Sequence, residues 1–142
     1  MKVADVLKEK GTRIITVRMH EPVEVAARLM SSENIGALAV KDVVRTEGNT
    51  CVGMFSERDI VRALVEHGTV AMQMPVEKLM TKKFVSCAPN DELPAVMEKM
   101  DSHSVRHLPV IEDHSLIGVI SVRDVIRVLK DQATVSGSIP AA

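Results

Sequence analysis

The chain has no tryptophan and no tyrosine, and Phe55 and Phe84 are its only aromatic residues. Proteins that bind single strands without sequence preference stack bases on aromatic rings, so that class has nothing to work with here. Charge of one sign is missing as well: 18 Lys and Arg against 19 Asp and Glu give a net charge of −1. The two signs are interspersed, without the basic footprint of a nucleic-acid surface or a polybasic membrane patch. No apolar run approaches the roughly 18 residues of a membrane span. The opening M-K-V-A-D-V-L-K-E-K lacks the continuous apolar stretch of a secretory signal, and the expected location is the cytoplasm.

Cysteine is scarce. Cys51 and Cys87 stand alone, with neither C-x-x-C nor a His at metal-ligand spacing, and both read as reduced, buried thiols. The histidines His20, His67, His103, His107 and His114 are scattered, and none accompanies a Ser or Cys nucleophile in a recognisable motif. His103 and His107 are four apart, but a strand begins between them, which breaks helical ligand spacing. Neither catalysis nor a metal centre is expected.

What the chain does have is an apolar fraction of 46% with nine methionines, enough for a core of branched aliphatics and thioethers. Its 142 residues suit one domain, or two half-size repeats sharing a core. A repeat is visible. G-M-F-S-E-R-D, Gly53 to Asp59, returns 65 residues later as G-V-I-S-V-R-D, Gly118 to Asp124. Each copy closes a β-rich apolar run and opens a helix-period run, Ile60, Val61, Leu64 in one and Val125, Ile126, Leu129 in the other. The motif is a strand-to-helix corner used twice.

Two readings of that corner stay open. Ser56 with Asp59, and Ser121 with Asp124, have the spacing of a capping box, in which hydroxyl and carboxylate satisfy the orphan N–H groups of a helix start. The same helix start, with Arg58 or Arg123 beside it, also suits a nucleotide: N–H groups and guanidinium for phosphate, carboxylate for ribose hydroxyls.

The repeat extends outwards at shifted offsets. Val3, Val6, Leu7 match Val76, Leu79, Met80 at 73, and the strand Ile35 to Val40 matches Val105 to Val110 at 70. Changes of offset fall in loops, where insertions cost little. One repeat reads as an apolar lead (Val3 to Leu7), a strand (Ile14 to Val17), a helix after Glu21-Pro22, a strand (Ile35 to Val40), a polar loop with Gly48-Asn49, a strand (Cys51 to Phe55) and a helix to Gly68. In the second, Ser86-Cys87 stand for the first strand and a helix starts near Asn90 or Asp91. The expected fold is mixed α/β (α+β), β-α-β-β-α twice over. Residues 1–68 form the first repeat, 69–75 a linker, 76–130 the second repeat and 131–142 a flexible tail.

The duplicated unit, with V-x-x-L-M at its start, His107 to Val110 (H-L-P-V) on the middle strand and G-x-x-S-x-R-D at the corner, resembles a tandem pair of CBS domains, the Bateman module. That resemblance implies pseudo-two-fold packing and a non-catalytic sensor of energy or redox state. It would bind AMP, ADP, ATP or NAD(H) in clefts between the repeats, pair as a homodimer and act on a separate regulated protein. It implies ribose ligands Asp59 and Asp124 and phosphate ligands Ser56 and Ser121. The adenine would lie against Thr16, Val17, Ile35 and Ala37 in one repeat and Val85, Ser86, Val105 and His107 in the other. Arg106-His107 correspond to a basic pair that contacts phosphates in some members, with a pH-dependent charge expected on His107. The first repeat has Gly36-Ala37 there, so unequal clefts are expected. The alternative is a dimerisation scaffold whose corners only cap helices.

Overall fold

A computed structural model describes residues 1–11, 14–42 and 50–136. The apolar lead is a helix, α1 (Val3–Lys10), whose Asp5 accepts the Lys2 N–H at 2.9 Å. There follow β1 (Thr16–Arg18), α2 (Val23–Glu33), β2 (Ala37–Asp42), β3 (Thr50–Ser56) and α3 (Glu57–His67). Pro22 precedes α2, and Asn34 ends it at φ 54 with its N–H on Met30 O, the left-handed cap that Asn tolerates. Gly68 closes α3 at φ 68. The linker is not irregular: Gly68–Gln73 is a 3-10 helix that buries Ala71.

The second repeat has α4 (Leu93–Ser102), β4 (His107–Glu112), β5 (Ser115–Ser121) and α5 (Val122–Ser136). Helix α4 starts two residues later than expected from Asp91, with Pro94 in its first turn. The expected tail begins as helix, since α5 continues through Asp131 to Ser136. Residues 137–142 and the loop residues 43–49, with Gly48-Asn49, lie outside the described residues.

The repeats differ in their sheets. In the first, β1 runs parallel to β2 and β2 antiparallel to β3. In the second, β4 and β5 form a two-stranded ladder, and the strand expected at Ser86-Cys87 shrinks to one parallel bridge, Cys87 to Val110. Two causes are visible. Pro109 stands where the first repeat has Ala39 and offers no N–H to a neighbour. Pro89 stands where the first repeat has Met19, whose N–H donates to Lys41 O at 3.1 Å, and the proline has no N–H to give.

Each repeat has its own core, and the leading segments are exchanged between them. Val3 and Val6 are buried with Leu93, Val96, Met100, Leu108, Val110, Ile120 and Val125 of the second repeat. Val76, with Leu79 and Met80 against it, is buried with Val23, Ala26, Leu38, Val40 and Phe55 of the first. Matching backbone bonds fix the exchange: Val3 N–H to Asp91 O (2.9 Å) and Leu93 N–H to Met1 O (3.1 Å), mirrored by Val76 N–H to Glu21 O (2.8 Å) and Val23 N–H to Met74 O (2.9 Å). A small seam of Ala37, Ala39, Met54 and Leu116 joins the two sheets.

The exchange accounts for the repeated glycine. A Cβ on Gly53 would stand 2.5 Å from Met80 Sδ, and one on Gly118 2.8 Å from Leu7 Cδ2. Leu7 and Met80 are the repeat-related residues of the two leads, and each lies on the opposite repeat's corner strand. Glycine there makes room for them.

Candidate functional site

Both corners are built as capping boxes. The first N–H of each helix is taken by the start of the middle strand: Glu57 N–H bonds Gly36 O at 3.0 Å, and Val122 N–H bonds Arg106 O at 2.9 Å. The Asp59 N–H donates to Ser56 Oγ (3.4 Å) and the Asp124 N–H to Ser121 Oγ (3.1 Å). Each carboxylate in return accepts the serine N–H at 2.9 Å through its Oδ2. The capping reading is therefore realised twice, in carboxylates only 8% and 6% exposed.

Beyond the box the corners diverge. At the first, Ser56 Oγ donates to Asp59 Oδ2 (3.1 Å) and Thr81 Oγ donates to Asp59 Oδ1 (3.2 Å), so both carboxylate oxygens and the serine proton are spoken for. At the second, Oδ2 takes both the Ser121 N–H and the Lys10 ammonium, the latter at 2.8 Å. Among the described residues, Oδ1 of Asp124 accepts no hydrogen bond that meets full geometry, while the Ser121 hydroxyl lies beside the carboxylate and helps to stabilise its charge. The ion pair with Lys10 and the bonds from Ser121 overcome desolvation and hold the Asp124 carboxyl below its ordinary pKa, so it is ionised at neutral pH.

This second corner opens on a cleft of about 1360 Å3, ample for a nucleotide-sized ligand. Its walls come from both repeats. Ile14, Ile15, Ala27, Met30, Ile35, Gly36 and Ala37 line one side, and Arg106, His107, Gly118, Val119, Ser121, Arg123 and Asp124 the other, with Lys10 at the end of α1 and Glu57 at the start of α3. An apolar slot thus leads to a rim where Lys10, Arg106, Arg123 and Arg127 meet Glu33, Glu57 and Asp124.

Of the residues singled out in the sequence, Ile35, Ala37, Arg106, His107, Ser121, Arg123 and Asp124 meet in this one cleft. Ile35 and Ala37 stand beside the first corner, where Ala37 pairs with Ser56, and they share this cleft with the residues of the second corner. Ser56, Asp59 and Arg58 are not among its lining residues, and the Arg58 guanidinium donates to Ser104 O at 3.1 Å, tying α3 to the other repeat. Thr16 pairs with Ala39. Val17 is 3% exposed within the first core. Val85 and Val105 pack on the second core, and Ser86 O accepts the Lys99 ammonium at 2.8 Å.

The His107 ring is pushed below the ordinary histidine pKa, first by burial and then by Lys10, with Arg106 adding to it, while Asp124 and Glu57 only partly offset this. The ring is therefore neutral at pH 7 without a ligand. Gly36 admits this crowding, for a Cβ there would lie 2.6 Å from Glu57 Oε1 and 3.4 Å from His107 Cε1. Lys10, Thr81 and Glu57 escaped the sequence reading. Lys10 sits in a run of alternating charge that reads as a solvated helix end, and Thr81 lies outside the corner motif.

The CBS-domain family profile matches residues 3–66 and 76–131, the two repeats described above. A CBS domain-containing protein of Bacillus subtilis, YhcV, is 31% identical over 113 residues, covering 80% of this chain and 76% of its own. The mitochondrial CBS domain-containing protein CBSX3 of Arabidopsis thaliana is 30% identical over 131 residues, 88% of this chain, which spans 63% of that protein. Among solved structures, the CBS-domain containing protein ATU1752 of Agrobacterium tumefaciens superposes with a TM-score of 0.83 at 34% identity, covering 91% of this chain and 99% of that one. The CBS domain pair of MJ0100, solved with 5-methylthioadenosine and S-adenosyl-L-methionine, superposes at 0.79 over 93% of this chain and 98% of its own, at 22% identity. By sequence and by fold, the chain belongs to the CBS-domain family and carries two CBS repeats.

Proposed function

We propose that the protein is a non-catalytic regulatory module that binds one adenosine-containing ligand in the Asp124 cleft. The observation that carries this reading is an ionised, buried carboxylate with one oxygen left open, beside the Ser121 hydroxyl, at the mouth of an open apolar slot. A ribose diol supplies donors to Oδ1 of Asp124. Phosphate oxygens accept from Ser121 and from Arg123 and Arg106, charged donors worth about twice a neutral one. The adenine fits between Ile35 and Ala37 on one wall and His107 on the other. The adenosine ligands in the fold neighbour MJ0100 support the class; AMP, ADP, ATP and NAD(H) all present the groups this cleft matches. Glu57 opposes a long polyphosphate, which favours a ligand of few charges over the more phosphorylated ones that Arg106 alone suggests. The signal, energy or redox state, passes to a separate regulated chain.

A ligand that binds only the folded state stabilises it by RT ln(1 + [L]/Kd), about 2.7 kcal/mol at a hundredfold excess over Kd. Thermal melts with AMP, ATP and NADH are therefore expected to show a clear rise, with guanosine nucleotides as control. No shift with any adenine compound at millimolar concentration removes the reading.

The scaffold reading has its own support at the first corner, where Thr81 and Ser56 leave Asp59 no oxygen to spare. We assign that corner a structural role. Outside it, Val61, Leu64 and Val65 on α3 are 60%, 40% and 82% exposed, and Ile126 and Leu129 on α5 are 54% and 43% exposed. Such a patch is more than a monomer commonly leaves to water, and we infer that the module pairs with a second copy through α3 and α5. Light scattering should give twice the chain mass of 15.5 kDa; a mass near one chain counts against pairing.

A further inference from the structure

On the first side two acceptors, Met54 O and the Asp59 carboxylate, are filled by one residue. Thr81 donates its N–H to Met54 O at 2.9 Å and its hydroxyl to Asp59 Oδ1 at 3.2 Å. The repeat-related acceptors on the second side, Val119 O and the Asp124 carboxylate, are also filled by one residue, but of another kind. The Lys10 ammonium donates to Val119 O at 2.7 Å and to Asp124 Oδ2 at 2.8 Å. The true counterpart of Thr81 is Lys8, and the substitute arrives from two residues further along α1.

The two fillings differ in how firmly they are held. Thr81 is fixed by its backbone, in a reciprocal pair of bonds with Met54. Lys10 reaches in on a four-carbon stem from the last residue of α1, with a side chain 37% exposed. A partly exposed ion pair of this type is weak and its lysine readily swings into water.

We propose that Lys10 is a displaceable internal occupant of the Asp124 carboxylate, holding in the unliganded cleft the place that a ligand's vicinal hydroxyls take. The proposal rests on the adenosine-ligand reading above. With Oδ2 accepting from both Ser121 and Lys10, only Oδ1 is open to a diol. A diol bonded to both oxygens requires the ammonium to move. Ligand entry and withdrawal of the Lys10 side chain are then one event, and occupancy of the cleft is reported at the C-terminal end of α1.

Adenosine is the probe, because it carries the ribose and no charge. Its binding is measured by calorimetry to wild type, Lys10→Met, Lys10→Gln and Lys8→Met. Lys8 is exposed on the same helix and does not line the cleft, so it controls for lost charge, and two replacements at Lys10 guard against a folding defect in one. Both Lys10 variants are expected to bind adenosine about three- to fivefold tighter, the scale of a partly exposed ion pair that no longer has to be broken. Lys8→Met should match wild type. Added salt, which screens the pair, should tighten wild type and leave the Lys10 variants unchanged. Equal or weaker binding by the Lys10 variants, or equal tightening by Lys8→Met, overturns the displaceable occupant and leaves the ligand reading standing. No adenosine bound by any of the four overturns both.

Discussion

Asp124→Glu is expected to weaken adenine-nucleotide binding about ten- to a hundredfold while changing stability by no more than about 0.5 kcal/mol. The substitution separates two roles that alanine would remove together. Glutamate is the usual partner in a capping box, so it can still accept the Ser121 N–H and keep a negative charge beside Lys10. It cannot keep Oδ1 where it is. One added methylene moves the free oxygen along the slot, and hydrogen bonds to a charged group are worth about 1.5 to 3 kcal/mol each. Asp59→Glu is the internal control: Asp59 is fully bonded within the chain, so its replacement should leave calorimetric affinity unchanged. Undiminished binding by Asp124→Glu would leave that carboxylate a cap and nothing more.

Val6→Asp is expected to cost several kcal/mol and to loosen the second repeat before the first, although Val6 belongs to the first by sequence. Val6 is 1% exposed and packed in the second core with Cys87. A carboxylate there has no partner, and burying an unpaired charge is among the costliest single changes. Cys87 supplies the readout. Its thiol is pushed up to about 12, chiefly by burial and then by Asp91, so in wild type it is nearly all protonated and slow to alkylate at pH 8. In Val6→Asp it should react much faster, and Cys51, on β3 of the other repeat, should change little. A larger rise in labelling at Cys51 than at Cys87, relative to wild type, would contradict the exchanged arrangement.

The sequence showed the repeat, the corners and the helices after them, because these rest on local pattern: S-x-x-D before an apolar run, Pro22 just ahead of one helix and Pro94 in the first turn of another, Gly68 at a helix end. It did not show the exchange. Val3 and Val6 are as apolar as Val76 and Leu79, and either lead could fill either core on composition alone; only the backbone bonds to Asp91 and Glu21 decide it. Nor does local pattern show that Ile35 and Ala37, at the entry to β2, share one cleft with Ser121 and Asp124 of the other repeat. Pro109 was visible as a departure from Ala39, yet its effect on the neighbouring strand adds to that of Pro89, which lacks the N–H that Met19 gives to Lys41 O. Helix α5 outruns its apolar stripe because a helix already anchored by Val125 and Val128 in the core needs only good backbone geometry to add a turn.

The difference between Thr81 and Lys10 also sets what kind of signal the chain can give. On the proposed reading of one receptive carboxylate per chain, occupancy follows ligand concentration along a simple hyperbola, going from a tenth to nine-tenths over about an 81-fold range. Two receptive sites coupled through a common core could sharpen that response. On that reading one half listens and the other braces it, and steepness in the output would come from how whole chains assemble.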